Sequence, residues 1–80
     1  MTARLLIRLK PGILDVHGVS VQRALGGLGF PEVRGVRVGT VIEVELDGRD
    51  RDDARRRIDE MCARLLVNPV IEDVTVELLG

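Results

Sequence analysis

Apolar and polar residues alternate along three segments of this chain, a pattern that predicts β-strands. The segments are ARLLIRLK (residues 3 to 10), VRGVRVGTVIEVELD (residues 33 to 47) and EDVTVELL (residues 72 to 79). The central segment is long enough for two strands, and we interpret it as a hairpin that turns near Gly39-Thr40. The chain is therefore predicted to contain four strands.

Two further segments carry apolar residues at helical spacing. The first runs from about Val16 to Leu28; Asp15 can cap its N-terminus, and Gly29 suits the left-handed conformation just past its end. The second runs from about Arg51 to Leu66, with Asp50 as its expected cap. Its apolar face is the clearest in the chain and consists of Ala54, Ile58, Met61, Cys62 and Leu65.

The predicted order β-α-β-β-α-β is that of an α+β, ferredoxin-like sandwich. In this fold a four-stranded antiparallel sheet, in the order 4-1-3-2, has both helices on one face. No linker or change of composition divides residues 1 to 80, so we expect a single domain. The open face of the sheet should pair Arg4 and Arg8 with acidic residues of neighbouring strands.

Composition excludes several classes of function. The 12 basic and 13 acidic side chains nearly cancel, and the only aromatic residue is Phe30, so the chain lacks the field and the stacking groups of a nucleic-acid-binding domain. No apolar run approaches the length needed to span a membrane. Cys62 is the only cysteine, which excludes an internal disulfide and indicates a reducing, cytoplasmic location.

Candidate catalytic groups are few. His17 is the only histidine, and no nucleophile is near it in the sequence. The position of Asp15 is explained by its role as a helix cap. Cys62 lies on an apolar helix face, where we expect a buried, unreactive thiol. The glycines of residues 26 to 29 end a helix, whereas a phosphate-binding loop begins one. We expect no catalytic residue, metal ligand or cofactor site in this chain, which indicates a binding or assembly module.

Four stretches, taken together, resemble one known family: LKPGILDVHG, VQRALGGLGF, VRGVRVGTVIEVEL and CARLLVNPVIEDVTVEL. In this order they are similar to PurS, the small subunit of phosphoribosylformylglycinamidine (FGAM) synthase, over roughly residues 4 to 78. The resemblance implies membership of an enzyme complex of purine biosynthesis. That complex converts formylglycinamide ribonucleotide, ATP and glutamine into formylglycinamidine ribonucleotide, ADP, phosphate and glutamate.

The resemblance also implies a division of labour among subunits. A glutaminase subunit releases ammonia, and a large ATP-dependent synthetase subunit activates the amide oxygen by phosphorylation. ATP, magnesium and glutamine are thus used by the partner subunits, and no cofactor is expected on the small subunit. That subunit would bridge the other two and help to protect ammonia during transfer.

Residues 11 to 18 are then expected to form a rigid corner that contacts a partner subunit. The candidate partner-binding residues are Pro11, Gly12, Asp15, His17, Gly18, Arg37, Gly39, Asn68 and Pro69. A small core and two sheet edges also favour a homodimer or a higher homo-oligomer. The alternative is an ACT-like regulatory domain that binds a small molecule; an acylphosphatase-like enzyme is disfavoured, because the loop after the first strand lacks arginine.

Overall fold

The structure is a computed structural model that describes residues 1–48 and 50–80. Its elements, in chain order, are β1 (Thr2–Leu9), α1 (Val16–Gly27), β2 (Gly39–Glu45), α2 (Arg51–Met61), a π-helical turn (Cys62–Leu66) and β3 (Glu72–Leu79). The three strands form one antiparallel sheet in the order β2-β1-β3. The predicted α+β class is confirmed.

The core lies between one face of the sheet and α2. Ala3, Leu5 and Ile7 alternate with exposed residues along β1 and are buried, as the period-two pattern predicts. Ile58 of α2 and Cys62 of the π-helical turn pack against them. Half-buried residues surround this centre: Ile42, Val44, Leu46, Met61, Leu66, Val67, Val74, Val76 and Leu78. Burial of these apolar side chains is the main stabilising contribution.

The prediction of four strands in the order 4-1-3-2 is wrong. Among the described residues the sheet has three strands, and residues 33–38 lie outside it. The predicted turn at Gly39-Thr40 is instead the beginning of β2, where Gly39 pairs with Arg8 and Thr40 pairs with Ile7. The remaining strands keep their predicted neighbours, with the first strand between the last two.

Hydrogen bonds explain why residues 33–38 do not add a strand. The Asp15 carboxylate accepts a hydrogen bond from the backbone N–H of Val38 at 2.8 Å. The guanidinium of Arg37 donates to the backbone C=O of Leu9. These bonds hold the segment at the base of α1 and the end of β1, so it does not run alongside β2. The outer edge of β2 is therefore left without a neighbouring strand in the described part of the chain.

The two helices differ in their relation to the sheet. The core contains residues of α2 but, in the part of the chain described, none of α1, so the prediction that both helices cover one face holds for α2 alone. The molecule is elongated, with extents of 49 × 26 × 14 Å and a Cα radius of gyration of 16.1 Å. A compact chain of this length is expected to have a radius of gyration of about 12 Å. Hence α1 extends away from the body formed by the sheet and α2.

The predicted helix ends are confirmed. The carboxylates of Asp15 and Asp50 each accept hydrogen bonds from backbone N–H groups in the first turn of the helix that follows. After α1, Gly29 has a φ of +98° and the N–H of Phe30 donates to the C=O of Leu25. This is the Schellman arrangement, which satisfies carbonyl groups at the end of a helix.

The helical segment that contains α2 changes its register near its end. Regular α-helical spacing predicts that Leu65 faces the core with Ile58 and Cys62, but Leu65 is 83% exposed, so this prediction is wrong. The N–H of Val67 donates to the C=O of Cys62, five residues earlier, which is the π-helical pattern. The wider turn brings Leu66 against the core instead.

Ile58→Ala tests the core. Ile58 is fully buried, so the substitution removes apolar contacts and leaves a cavity, and we expect the free energy of unfolding to fall by about 2–4 kcal/mol. Val70→Ala is the matched control at an exposed position, where we expect a change below about 0.5 kcal/mol. Urea unfolding followed by circular dichroism measures both. Equal effects of the two substitutions would contradict the description of the core.

Candidate functional site

The nine residues predicted to bind a partner lie at one end of the sheet. β1 ends there, and β2 and β3 begin there, because both run antiparallel to β1. The N–H of Lys10 donates to the C=O of Ile71 at 2.8 Å, which joins the turn after β1 to the turn before β3. We call this end the corner surface, and it consists of Pro11, Gly12, Asp15, His17, Gly18, Arg37, Gly39, Asn68 and Pro69.

Asp15 organises the backbone at the corner surface. Its Oδ1 accepts from the N–H of Gly18 at 2.8 Å, and its Oδ2 accepts from the N–H of Val38 at 2.8 Å. The bond from Val38, followed by the bond from Gly18, lowers the pKa of Asp15 below its ordinary value, because both favour the ionised carboxylate. The Asp15 carboxylate therefore links the first turn of α1 to the residue before β2.

Two glycines of the corner surface are required by close approach of the backbone. A Cβ on Gly18 would overlap the C=O oxygen of Val36 and come within 2.8 Å of Oδ2 of Asp15. A Cβ on Gly39 would lie 2.7 Å from the C=O oxygen of Ile7. Backbone oxygens cannot rotate away as side chains can, so only glycine fits at these positions without movement of the chain.

Arg37 and Asn68 stabilise the turns around the corner surface. Arg37 donates to the C=O of Leu9. The Oδ1 atom of Asn68 accepts from the N–H of Val70 at 3.1 Å, and its backbone C=O accepts from the N–H of Glu72 at 2.8 Å. The turns are thus held from within the chain. The exposed members of the surface are Pro11, Gly12, His17, Arg37, Gly39, Asn68 and Pro69.

An open cavity of about 370 Å³ lies in the corner surface. Asp15, His17 and Gly39 line it, as do Arg8 and Glu72, which the sequence did not identify as site residues. Arg8 and Glu72 lie at the ends of two strands far apart in the sequence, and only the pairing of β1 with β3 brings them together. The cavity therefore presents charges of both signs next to fixed turns.

Cys62 is buried, as predicted. Burial raises the pKa of the Cys62 thiol, and the charge of Asp59 acts in the same direction, so the thiol stays protonated at neutral pH. Within residues 1–48 and 50–80, no three His, Cys, Asp or Glu side chains are placed to hold a metal ion. No helix in the same residues is long and apolar enough to cross a membrane.

Fold and site together define a class. The chain is a small α+β module with a corner of hydrogen-bonded turns that carries charges of both signs and, in the described residues, a β2 edge without a neighbouring strand. Comparison with known proteins identifies the family. The family model of PurS, described as phosphoribosylformylglycinamidine (FGAM) synthase, matches residues 2–80. The chain belongs to this family, as its sequence resemblance predicts, and the comparisons thus favour this assignment over the ACT-like alternative.

Relatives match the chain over nearly its whole length. FGAM synthase subunit PurS of Archaeoglobus fulgidus is 40% identical over 76 residues, which cover 95% of this chain and 95% of that protein. The corresponding subunit of Methanocaldococcus jannaschii is 37% identical over 75 residues, which cover 94% of this chain and 90% of that protein.

Solved structures share the fold. The crystal structure of Methanocaldococcus jannaschii PurS has a TM-score of 0.84 and 36% identity, and the match covers 99% of this chain and 98% of that chain. A chain in the structure of PurLQS from Thermotoga maritima has a TM-score of 0.83 and 26% identity, with 99% of both chains covered. The architecture described above is therefore that of PurS subunits.

The lowered pKa of the Asp15 carboxylate predicts how the stability of the fold depends on pH. The pKa of Asp15 is lower in the folded than in the unfolded chain. The stabilisation that its ionised carboxylate gives the fold is therefore complete above the unfolded pKa of about 4, and it is lost as the pH falls through the folded pKa. Asp15→Asn cannot ionise, and we expect it to be less stable at pH 7 but to lose less stability on acidification. Urea unfolding at a series of pH values measures this difference. Asp47→Asn is the control, and an unchanged acid response in Asp15→Asn would disprove the role of the carboxylate.

Gly18→Ala and Gly27→Ala should have opposite effects on stability. Gly18→Ala forces the chain apart at Val36, and we expect a loss of about 1–3 kcal/mol. No atom lies within 4 Å of a Cβ added to Gly27, and alanine there favours the helix by up to about 1 kcal/mol. Thermal unfolding of the two variants measures the difference. If Gly18→Ala proved as stable as Gly27→Ala, the close approach would not exist in solution.

Proposed function

We propose that this chain is the non-catalytic small subunit of FGAM synthase that bridges the glutaminase subunit and the large ATP-dependent synthetase subunit. The observation that carries the proposal is that a chain with a PurS match over residues 2–80 has an exposed corner whose turns are held by hydrogen bonds within the chain. A surface whose shape is already fixed loses little conformational entropy when it binds a partner. This favours a role in assembly.

In this proposal the reacting groups belong to the partners. The glutaminase releases ammonia from glutamine, and the synthetase uses ATP and magnesium to activate the amide oxygen of formylglycinamide ribonucleotide. This chain holds none of these compounds. The PurLQS structure from Thermotoga maritima supports the proposal, because a chain of that assembly matches this one over 99% of both chains.

The chemistry of ammonia explains why a bridging subunit would be useful. Ammonia is largely protonated in water at neutral pH, and ammonium has no free electron pair with which to attack the activated amide. A closed contact between subunits excludes water and keeps the nucleophile unprotonated during transfer. We propose that the corner surface supplies part of this contact, through its exposed turns and the charged side chains of its cavity.

We also propose that the chain forms a homodimer or a higher homo-oligomer and acts in the cytoplasm. In the described residues six apolar side chains are buried, whereas nine large apolar side chains are exposed. A small domain with this balance commonly gains the rest of its stability by association. The edge of β2, which has no neighbouring strand among the described residues, and the extended position of α1 both offer surface for a second copy.

Reconstitution of the complex tests the bridging role. Turnover is measured with the glutaminase and synthetase subunits from the same source, with and without this chain, using either glutamine or free ammonia as the nitrogen donor. We expect the chain to be required with glutamine but not with ammonia, because ammonia supplied in solution needs no transfer. A chain that changes neither rate would refute the proposal.

A pair of exposed variants tests the corner surface in the same assay. His17→Ala should lower the glutamine-dependent rate by about threefold or more if the corner is a binding surface, since truncation of a central interface side chain weakens association. Arg56→Ala, on the solvent side of α2, is the control and should leave the rate unchanged. Loss of rate in the control alone would place the contact on α2 instead.

A further inference from the structure

We propose that the open cavity of the corner surface receives an acidic side chain of a partner subunit, and that the guanidinium of Arg8 is its anchor. The inference rests on the proposed bridging function and specifies the chemistry of the contact at the corner surface. The cavity has a volume of about 370 Å³, and its polar lining residues are Arg8, Asp15, His17, Thr40 and Glu72.

Arg8 has no ion pair with the residues that the structure describes, although the sequence predicts one. Arg4 and Arg8 are both exposed and lie on the open face of β1. Arg4 lies opposite Glu43 of β2, and the guanidinium and carboxylate of this pair are 3.3 Å apart. Arg8 lies opposite Gly39 of β2 and Asp73 of β3, yet no carboxylate oxygen of the described residues is within 4 Å of its guanidinium.

Gly39 makes room for the side chain of Arg8. A Cβ added to Gly39 would lie 2.9 Å from Cγ of Arg8, so the stem of Arg8 lies across the space that a side chain at this position would fill. Arg8 and Gly39 both line the cavity. Because the stem is confined beside β2, Arg8 loses less rotamer entropy on binding than a fully solvated arginine would.

The two carboxylates of the cavity are occupied by bonds within the chain. The two oxygens of Asp15 each accept a backbone N–H at 2.8 Å, and Oε1 of Glu72 accepts the N–H of Asn68 at 2.7 Å. These N–H groups offset part of the negative charge. The side chains of Arg8 and His17 line the same cavity and make no hydrogen bond with the described residues. The groups left to bind are therefore donors, which require an acceptor.

A carboxylate is the acceptor that fits a guanidinium best. The two parallel N–H groups of the guanidinium match the two oxygens of a carboxylate, and such charge-assisted bonds are stronger than neutral ones. Arginine is also enriched among the residues that carry most of the energy of a protein interface. The cavity is open, whereas small-molecule sites enclose most of their ligand. An Asp or Glu side chain held in place by a larger interface therefore suits it better than a free metabolite.

Charge substitutions at Arg8 in the reconstituted complex test the proposal. The measured quantity is the concentration of this chain that gives half-maximal glutamine-dependent turnover, at fixed concentrations of the glutaminase and synthetase subunits. We expect Arg8→Gln to raise this concentration about tenfold and Arg8→Glu about a hundredfold. Arg8→Lys should have a smaller effect than Arg8→Gln, because lysine keeps the charge but loses the fork. Added salt should weaken association of the unaltered chain more than that of Arg8→Gln.

Arg4→Gln is the matched control. It removes an arginine from the same strand and the same face, but one that is already paired with Glu43, so we expect a change below about twofold. Circular dichroism verifies that each variant is folded. Charge reversal in the partners identifies the bound group: when exposed Asp and Glu residues of the partner subunits are replaced one at a time by arginine, one replacement should restore association with Arg8→Glu.

The outcomes separate this inference from the bridging function. An unaltered chain that supports no glutamine-dependent turnover would overturn both. If the unaltered chain bridges the subunits but Arg8→Gln associates as well as Arg4→Gln does, the anchor is overturned alone. Tighter association of Arg8→Glu would also overturn it, because a cationic partner group at Asp15 and Glu72 would then occupy the cavity. If no charge reversal in the partners restores Arg8→Glu, the bound group is not a carboxylate side chain.

Discussion

The carboxylate of Asp15 joins two parts of the chain that are 23 residues apart, and much of the structure depends on this connection. It caps α1 and, through its second oxygen, holds the N–H of Val38 immediately before β2. The segment before β2 is thereby kept at the base of α1. In the described part of the chain these residues add no fourth strand, the outer edge of β2 has no neighbour, and α1 extends beyond the sheet.

These consequences leave a protomer with a small core and a large apolar exterior. In the described residues the core lies between the sheet and α2, while α1 and the outer edge of β2 lie outside it. In the proposed bridging role, such surfaces contact the partner subunits.

Local features were predictable from the sequence, and features that depend on distant contacts were not. Helix caps at Asp15 and Asp50 and the helix end at Gly29 depend on residues within one turn, and each is where the pattern predicts it. Strand periodicity was also read correctly for the core of β1. The prediction of a fourth strand was wrong because the alternation of residues 33–38 gives no information about the hydrogen bond from the N–H of Val38 to the carboxylate of Asp15. The cavity residues Arg8 and Glu72 were missed for the same reason, since sheet pairing alone brings them together.

The sequence by itself determined the helical and strand segments that the structure retains, a composition of nearly balanced charge with one aromatic residue, and the family resemblance that comparison confirms. Those properties follow from residue type and short-range spacing. Tertiary structure decided where α1 lies, that β2 is an edge strand among the described residues, and that Leu65 faces solvent while Leu66 packs against the core. The first two depend on hydrogen bonds between residues far apart in the sequence, and the third depends on the local π-helical bond from Val67 to Cys62. A periodic pattern of apolar residues encodes neither.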